Sequence, residues 1–412
     1  MEEPKSTLLD ALSDEASWRS FLQYKESLAC PKTVVKEIQA FLDGRAFLVP
    51  AAMIREGRAL PYPKKSVISK LGSAKKRTVY TYPNDLNLVM KLLTFLILRK
   101  YDHLFSGGLY SFRPGRNAKD AVRKLIRTRN IRQKFYYKVD IHDYFNSIPV
   151  EQLLPMVKDA LADDPELYRF LENVLTDPHV IFNGEITEER KGIMAGTPLS
   201  SFFANLYLKE MDERFVFGNI PYARYSDDVI VFADTQEEAK AHRDFILSFL
   251  AERGLTVNPD KEQFGSAADG WTFLGFSYRD GEVDIAEATL KKLKQKMRRK
   301  RDGLARWQKR NGVAREKAAA AFIRIFNRKL MEGPKDSELT WSYWFFPVIN
   351  TTKSLSKIDH YAEDCIRYLL SGTHTKARFN VRYEDIKALG YRSLLHEYYA
   401  YEKTCKKEMD LI

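Results

Sequence analysis

The feature that most constrains this 412-residue chain is the stretch YARYSDDVIVFA, Tyr222 to Ala233, which sets two adjacent carboxylates, Asp227 and Asp228, between apolar runs. Apolar, β-prone residues on either side of a Ser-Asp-Asp step predict a hairpin with the carboxylates at its tip. Like charges side by side repel, and burying either one unpaired is costly. A solvated turn tolerates such a pair. So does a hard divalent cation, which needs carboxylates held on a rigid turn. The twelve residues by themselves leave both readings open.

A third carboxylate tips the balance. KVDIHDYFNSIP ends the β-rich run Phe135 to Ile141 with Asp140, and Asp143 follows three residues later. If that run pairs beside the hairpin, Asp140, Asp227 and Asp228 meet at one sheet edge, where they cannot all stay ionised without cations between them. Two Mg²⁺ ions about 4 Å apart would clamp the attacking and leaving oxygens of an in-line phosphoryl displacement.

Composition and charge point the same way. Hydrophobic residues at 44% and aromatics at 13% fit a folded chain with room for two or three domains. The formal charge of +12 is concentrated: Ala286 to Leu330 holds sixteen Lys or Arg against three acidic residues, leaving the remainder close to neutral. Leu290, Leu293, Met297, Leu304 and Trp307 are spaced for one helical face there, so the segment reads as a basic amphipathic helix suited to phosphate contact. No apolar run is long enough to span a bilayer, so no membrane partner is expected. The start, MEEPKSTLLDALSDEASW, reads as neither signal nor transit peptide. Three scattered cysteines, Cys30, Cys365 and Cys405, imply no disulfide framework or zinc site and suit a cytoplasmic setting.

Residues 1 to about 60 read as helical. Lys64 to Pro83 reads as strand, turn at Leu71-Gly72-Ser73, and strand. Helices are expected over Leu86–Tyr101, Asn117–Arg129, Gln152–Leu175, Leu199–Phe215 and Glu237–Arg253, with a hairpin around Asn183-Gly184. GLTVNPDK and WTFLGFSY read as short strands, and the chain beyond Ala286 as mostly helical. The order of elements predicts an α+β core with helical appendages.

Asp140 with Tyr144 and Phe145, the GTPLSSFFANLYL run, YSDD, and Lys261 before FLGF occur in the order of the palm motifs of reverse transcriptases, which the chain resembles over roughly residues 60 to 280. SFRPGRNAKDAV resembles the fingers motif of the group II-intron-like bacterial branch. The resemblance implies a right-hand polymerase: an N-terminal helical extension (1–60), fingers and palm with an antiparallel sheet (61–285), a basic helical thumb (286–335) and a helical RNA-binding extension (336–412). It implies Asp140 and Asp227 as principal ligands of two Mg²⁺ ions, Asp228 as auxiliary carboxylate, and the Ile141 carbonyl completing one metal. Lys261 occupies the place of a general acid near the leaving pyrophosphate. Lys70, Arg77, Arg113 and Arg116 would grip the triphosphate or template. Asp143, Tyr144, Phe145, Ala195 and Gly196 would surround the incoming nucleotide, with Phe145 as a steric gate favouring dNTPs. Lys291, Lys292, Lys294, Arg298, Arg299 and Arg301 would track an RNA–DNA duplex. One departure stands out: Ala195 replaces the family's usual Gln.

The tail after the basic segment reads as too short for maturase and nuclease modules, and GLTVNPDK lacks the Val-Thr-Gly signature of retron enzymes. The chain therefore looks most like the free-standing reverse transcriptases of antiphage defence, which copy a noncoding RNA encoded nearby; a homo-oligomer stays open. A tyrosine hydroxyl of Tyr391, Tyr398, Tyr399 or Tyr401 is available in principle as a protein primer. The alternatives are a retron-type or group II intron enzyme, or a non-catalytic RNA-binding protein that keeps the polymerase fold.

Overall fold

An aromatic cluster organises the first helices. In the computed structural model, which describes residues 7–28, 30–69, 76–190, 192–332 and 341–409, Trp18 is fully buried and donates its indole N–H to the Leu12 carbonyl at 2.9 Å. It lies on α1 (Glu15–Ser27), capped by the Asp14 carboxylate, and meets Phe41 of α2 (Lys32–Asp43) edge-on. After α3 (Leu48–Arg55) come antiparallel β1 (Lys64–Ser69) and β2 (Lys76–Thr81). The expected Leu71-Gly72-Ser73 turn lies outside the described residues. α4 (Asn84–Lys100) buries Leu88, Val89, Met90, Leu92 and Leu93, as its nearly unbroken apolar sequence requires.

α5 (Ala118–Ile126) starts at Asn117, whose side chain accepts the Asp120 N–H. β3 (Phe135–Asp140), α6 (Tyr144–Ser147), α7 (Val150–Ala160) and α8 (Pro165–Thr176) follow. The single helix expected over Gln152–Leu175 is thus two. Asp164 caps α8 by accepting the Leu167 N–H, and Pro165 occupies its first turn, where the missing N–H is harmless. β4 (His179–Phe182) and β5 (Glu185–Glu188) form the expected hairpin, with positive φ at both Asn183 and Gly184. The run expected as one helix from Leu199 is α9 (Ser200–Tyr207) and α10 (Lys209–Phe217), separated where Leu208 leaves helical backbone geometry (φ −109°, ψ 17°). β6 (Tyr222–Tyr225), β7 (Asp228–Ala233) and α11 (Gln236–Glu252), which opens with a Thr235–Glu238 capping box, match expectation. GLTVNPDK is not a strand. It makes a single bridge, Val257 to Ile141, then a 3₁₀ turn at Pro259–Lys261; β8 (Gln263–Ser266) comes afterwards, because Pro259 cannot donate to a ladder.

Two four-stranded sheets result, in the orders β2-β1-β4-β5 and β6-β7-β3-β8. In the second, β3 lies antiparallel to both β7 and β8, and Val229 to Phe232 are buried without alternation. That is the pattern of a strand covered on both faces.

Contacts divide the chain into units 1–269 and 270–412. The second begins with the meander β9 (Trp271–Phe273), β10 (Phe276–Arg279) and β11 (Glu282–Ile285). The WTFLGFSY run is two strands joined at Leu274-Gly275, both with positive φ. Helices follow: α12 (Glu287–Asn311), α13 (Arg315–Leu330), α14 (Trp341–Phe345), α15 (Lys353–Ser371), α16 (Tyr383–Ala388) and α17 (Leu394–Met409). Among the described residues, no helix is long and apolar enough to cross a membrane.

A single carboxylate ties this unit's end together. Asp359 of α15, 5% exposed, accepts from the Tyr391 hydroxyl (2.8 Å), the Ser393 hydroxyl (2.6 Å) and the Leu394 and Leu395 N–H groups (2.9 and 3.0 Å). It caps α17 from another helix. Asp359→Ala leaves those buried donors unpaired and is expected to destabilise the unit by about 3 kcal/mol. Urea denaturation checks this, alongside faster proteolysis within α17.

Candidate active site

The ladder between β3 and β7 brings the carboxylates together. Their register pairs Asp140 with Asp228 directly, and the Ile141 N–H donates to the Asp227 carbonyl at 3.0 Å. Ser226 turns the chain between β6 and β7 with φ +60°, a left-handed conformation uncommon outside Gly, Asn and Asp. The strand pairing on which the expected convergence depends, β3 beside the hairpin, is therefore present. Among the described residues, however, no three or more His, Cys, Asp or Glu side chains are grouped as a metal cage. The donor chemistry still suits a hard divalent cation, because the carboxylates crowd one another in a partly dehydrated place.

Electrostatics records that crowding. Burial is the main cause pushing Asp228 up to about 6; Lys138 opposes the shift, and Asp227 and Asp140 add to it. Burial, then repulsion from Asp140, also raises Asp227. A carboxyl raised in the folded state stabilises the fold when protonated. That contribution is complete below about pH 4, the unfolded value, and is lost as pH rises through about 6. In chelator, the melting-temperature advantage of Asp228→Asn over wild type is therefore expected to shrink as pH falls from about 7.5 to about 5. Thermal denaturation of both proteins across that range tests it.

The resemblance implied a general-acid role for Lys261. Its ammonium pairs with Asp140 Oδ2 at 2.6 Å, brought there by the turn whose Asn258 N–H donates to the Asp140 carbonyl at 2.8 Å. Lys138 was missed: it precedes Asp140 by two residues on β3, hence shares its face, and period-two alternation in YYKVD was the available signal.

The nucleotide-facing expectations divide. Arg77, exposed on β2, is close enough to lower the pKa of Asp227. Lys70 lies outside the described residues. Arg113 is 8% exposed and spent on structure, with Nε and Nη2 on the Asp102 carboxylate (2.7 and 3.0 Å) and Nη1 on the Ser106 carbonyl (2.5 Å). Arg116 donates to the Gly107 carbonyl. Tyr144 is a core residue, its hydroxyl donating to the Ala204 carbonyl at 2.5 Å, a bond that burial favours. Phe145 is half-buried, with its ring beside those of Tyr144 and Phe112 (centroids 5.6 and 6.3 Å). Exposed Phe112, at φ +56°, is an aromatic neighbour that the motif did not announce.

Ala195 is held entirely by its main chain. Its N–H donates to Asn146 Oδ1 (3.2 Å) and its carbonyl accepts the Tyr80 N–H of β2 (2.9 Å). Asn146 also donates to exposed Asp143 Oδ1 at 2.9 Å. Gly196 has φ +100°, and a Cβ there would stand 3.1 Å from the Tyr80 carbonyl. Gly192 is tighter: a Cβ would lie 2.3 Å from Asn146 Cα, so only glycine fits. The methyl group at 195 offers no polar atom in place of the family's usual Gln amide, and the Asn146 amide is already committed to the Ala195 N–H and Asp143.

A buried network under the YSDD turn was not legible at all. Arg224, wholly buried, forks onto Asp212 through Nε (2.7 Å) and Nη2 (2.6 Å) and donates to the Asn205 and Ser226 carbonyls (3.0 and 3.3 Å). The Tyr222 hydroxyl joins at Asp212 Oδ1, and the Ser226 N–H donates to Ser111 Oγ at 2.9 Å.

In the second unit, Lys291, Lys292, Arg298 and Arg299 are exposed on α12. Two of the six expected nucleic-acid contacts instead face α15: Lys294 lies 5.7 Å from the Tyr361 ring centre, and Arg301 bonds Asp302 and covers Tyr368 at 4.9 Å. The long stems of Lys and Arg cover apolar surface in this way. Of the four tyrosines named as primers, Tyr391 and Tyr398 are buried, their hydroxyls donating to Asp359 and to the Ile349 carbonyl; Tyr399 is exposed.

Comparison with known proteins places this geometry. The uncharacterised 91 kDa protein in the cob intron of Schizosaccharomyces pombe (strain 972) is 28% identical over 155 residues, covering 36% of this chain and 18% of that one. The retron Ec86 reverse transcriptase of Escherichia coli is 23% identical over 175 residues, covering 41% of this chain and 50% of that one. The chain thus spans no more than half the length of these curated relatives. A solved structure of apo telomerase from Candida tropicalis, truncated from its C-terminal domain, aligns over 55% of each chain with TM-score 0.46 and 14% identity. The family described as reverse transcriptase (RNA-dependent DNA polymerase) matches residues 62–278, more than half the chain and the whole of the site above. The chain belongs to the reverse transcriptase family.

Proposed function

We propose that this protein is an RNA-templated DNA polymerase that copies a noncoding RNA encoded beside it, in bacterial antiphage defence. The observation that carries the polymerase reading is the pairing of Asp140 with Asp228 beside the Asp227 turn, within the family match. Asp140 and Asp227, with Asp228 in support and the Ile141 carbonyl, would hold the divalent cations. Bound there, two Mg²⁺ ions supply Lewis-acid activation of a 3′-hydroxyl and charge neutralisation on the triphosphate.

The chain's own residues do the rest. Arg77 offers a cation on the Asp227 side; the Asn146-pinned Ala195–Gly196 backbone forms a close-approach surface; Phe145 with Phe112 sets an aromatic wall that disfavours a 2′-hydroxyl. Lys261, once released from Asp140, is placed to serve the leaving group. Fingers and palm over 61–285, thumb over 286–335 and an RNA-binding extension over 336–412 complete the reading, and the exposed cations of α12 suit duplex phosphates. Similarity to the retron Ec86 enzyme favours a retron-type template as the second reading.

The test is sequencing of nucleic acid that co-purifies from cells carrying the native flanking DNA, with and without phage. A single adjacent noncoding RNA together with its cDNA is the expected result. A branched RNA–DNA product would establish the retron reading. RNA with no DNA under either condition would remove the polymerase reading.

A further inference from the structure

The first unit contains a cavity of about 170 Å³ that the polymerase reading leaves unused. It is bounded by the segment leading into β1, the end of β2, the last turn of α8 and the start of β4, with Met194 in its lining. Three features distinguish it from a packing defect. Tyr82, 7% exposed, lines it and brings a phenol hydroxyl able to donate. One wall is a ring pair, Tyr62 and His179, with centroids 5.2 Å apart and planes tilted by 34°. That wall is also fixed chemically: His179 Nδ1 lies 2.7 Å from Asp177 Oδ1, so an acceptor-only carboxylate places the proton on Nδ1 and leaves Nε2 to accept. Asn173, exposed at the lining, adds an amide able both to donate and to accept.

We propose that this cavity is a binding site for a nucleobase, seated against the Tyr62–His179 ring pair with its polar edge toward the Tyr82 hydroxyl. The volume suits one planar heterocycle, the ring pair offers stacking, and the donors and acceptors match the mixed edge of a base. Burial keeps the Tyr82 hydroxyl protonated, pushing it up to about 12, so it stays a donor across the working range. A nucleobase arrives either as a free nucleotide or as an unpaired residue of an RNA strand. Both present the same chemistry to this site.

The position couples the site to the loop described above. Met194 immediately precedes Ala195, and Tyr82 follows by two residues the Tyr80 whose N–H holds the Ala195 carbonyl. A base in the cavity therefore touches both segments that fix the Ala195–Gly196 backbone, and linkage makes the effect reciprocal. This coupling rests on the polymerase reading; the binding itself does not.

Equilibrium dialysis with AMP, GMP, CMP and UMP, and in parallel with a short 2-aminopurine-containing oligoribonucleotide, tests the site on the full chain. Saturable binding is expected to weaken about tenfold in Tyr82→Phe, which keeps the ring, and at least tenfold in Tyr62→Ala, while Asp227→Asn leaves it unchanged. Binding of the monophosphates assigns the site to free nucleotides; binding of the oligonucleotide alone assigns it to an RNA base. Equal binding of ribose 5-phosphate, insensitivity to both tyrosine changes, loss with Asp227→Asn, or no binding at millimolar concentration would each overturn the proposal. Unchanged melting temperature in Tyr82→Phe separates loss of ligand from loss of fold.

Discussion

Asp227→Asn is expected to lower DNA synthesis on a primed RNA template by about 10³-fold or more while leaving the protein folded. The amide keeps the shape of the carboxylate and removes the charge that a divalent cation requires. The several kcal/mol of transition-state stabilisation supplied by a metal clamp corresponds to a loss of that size. Stability is expected to move the other way. Ionised Asp227 is disfavoured by burial and by Asp140, so the neutral amide relieves repulsion and the metal-free melting temperature rises. Primer extension paired with thermal denaturation measures both effects. Asp260→Asn, an exposed carboxylate on the turn that carries Lys261, controls for charge loss in general and should leave synthesis near wild type. Synthesis retained in Asp227→Asn would remove this carboxylate from the chemistry.

Asp212→Ala is expected to be the most damaging single change to the fold of the site, costing about 3–5 kcal/mol. It leaves the Arg224 guanidinium unpaired where the structure provides no solvent, and strips the Tyr222 hydroxyl of its acceptor. Because Arg224 also donates to the Ser226 carbonyl, the turn bearing Asp227 loses its support, so activity should fall with stability. A combined Asp212→Leu, Arg224→Met protein should recover much of the stability, since a buried pair replaced by apolar residues avoids the lone charge. It should not recover full synthesis, because the bonds to Asn205 and Ser226 are still missing. Urea denaturation and primer extension on the three proteins separate the two contributions. A mild effect of Asp212→Ala would show that water reaches Arg224.

Much of the site was readable because its signals are local. The hairpin at YSDD, the strand ending at Asp140 and the helix after Asn117 rest on alternation, turn chemistry and capping within a few residues of each position. The readings that failed did so where local signals conflict with partners. GLTVNPDK has β-prone residues, yet Pro259 ends pairing and the strand forms later at Gln263. The segment from Gln152 has an apolar period running through Leu175, yet Asp164 and Pro165 restart the helix. Arg113 and Arg301 look like free cations in sequence; Asp102 in one case, Asp302 and Tyr368 in the other, take them.

The sequence by itself determined the order and type of most elements, the carboxylates Asp140, Asp227 and Asp228 as candidates, and the concentration of positive charge in the stretch that forms α12 and α13, because these follow from spacing along the chain. Only the tertiary structure decided that Asp140 faces Asp228 in register, that Lys261 pairs with Asp140, and that Arg224 and Asp212 lie buried beneath the turn. Strand register and ion-pair partners are choices among many groups distant in sequence. They are made by which arrangement leaves the fewest buried charges and polar groups unpaired, and that balance exists only once the whole core has closed.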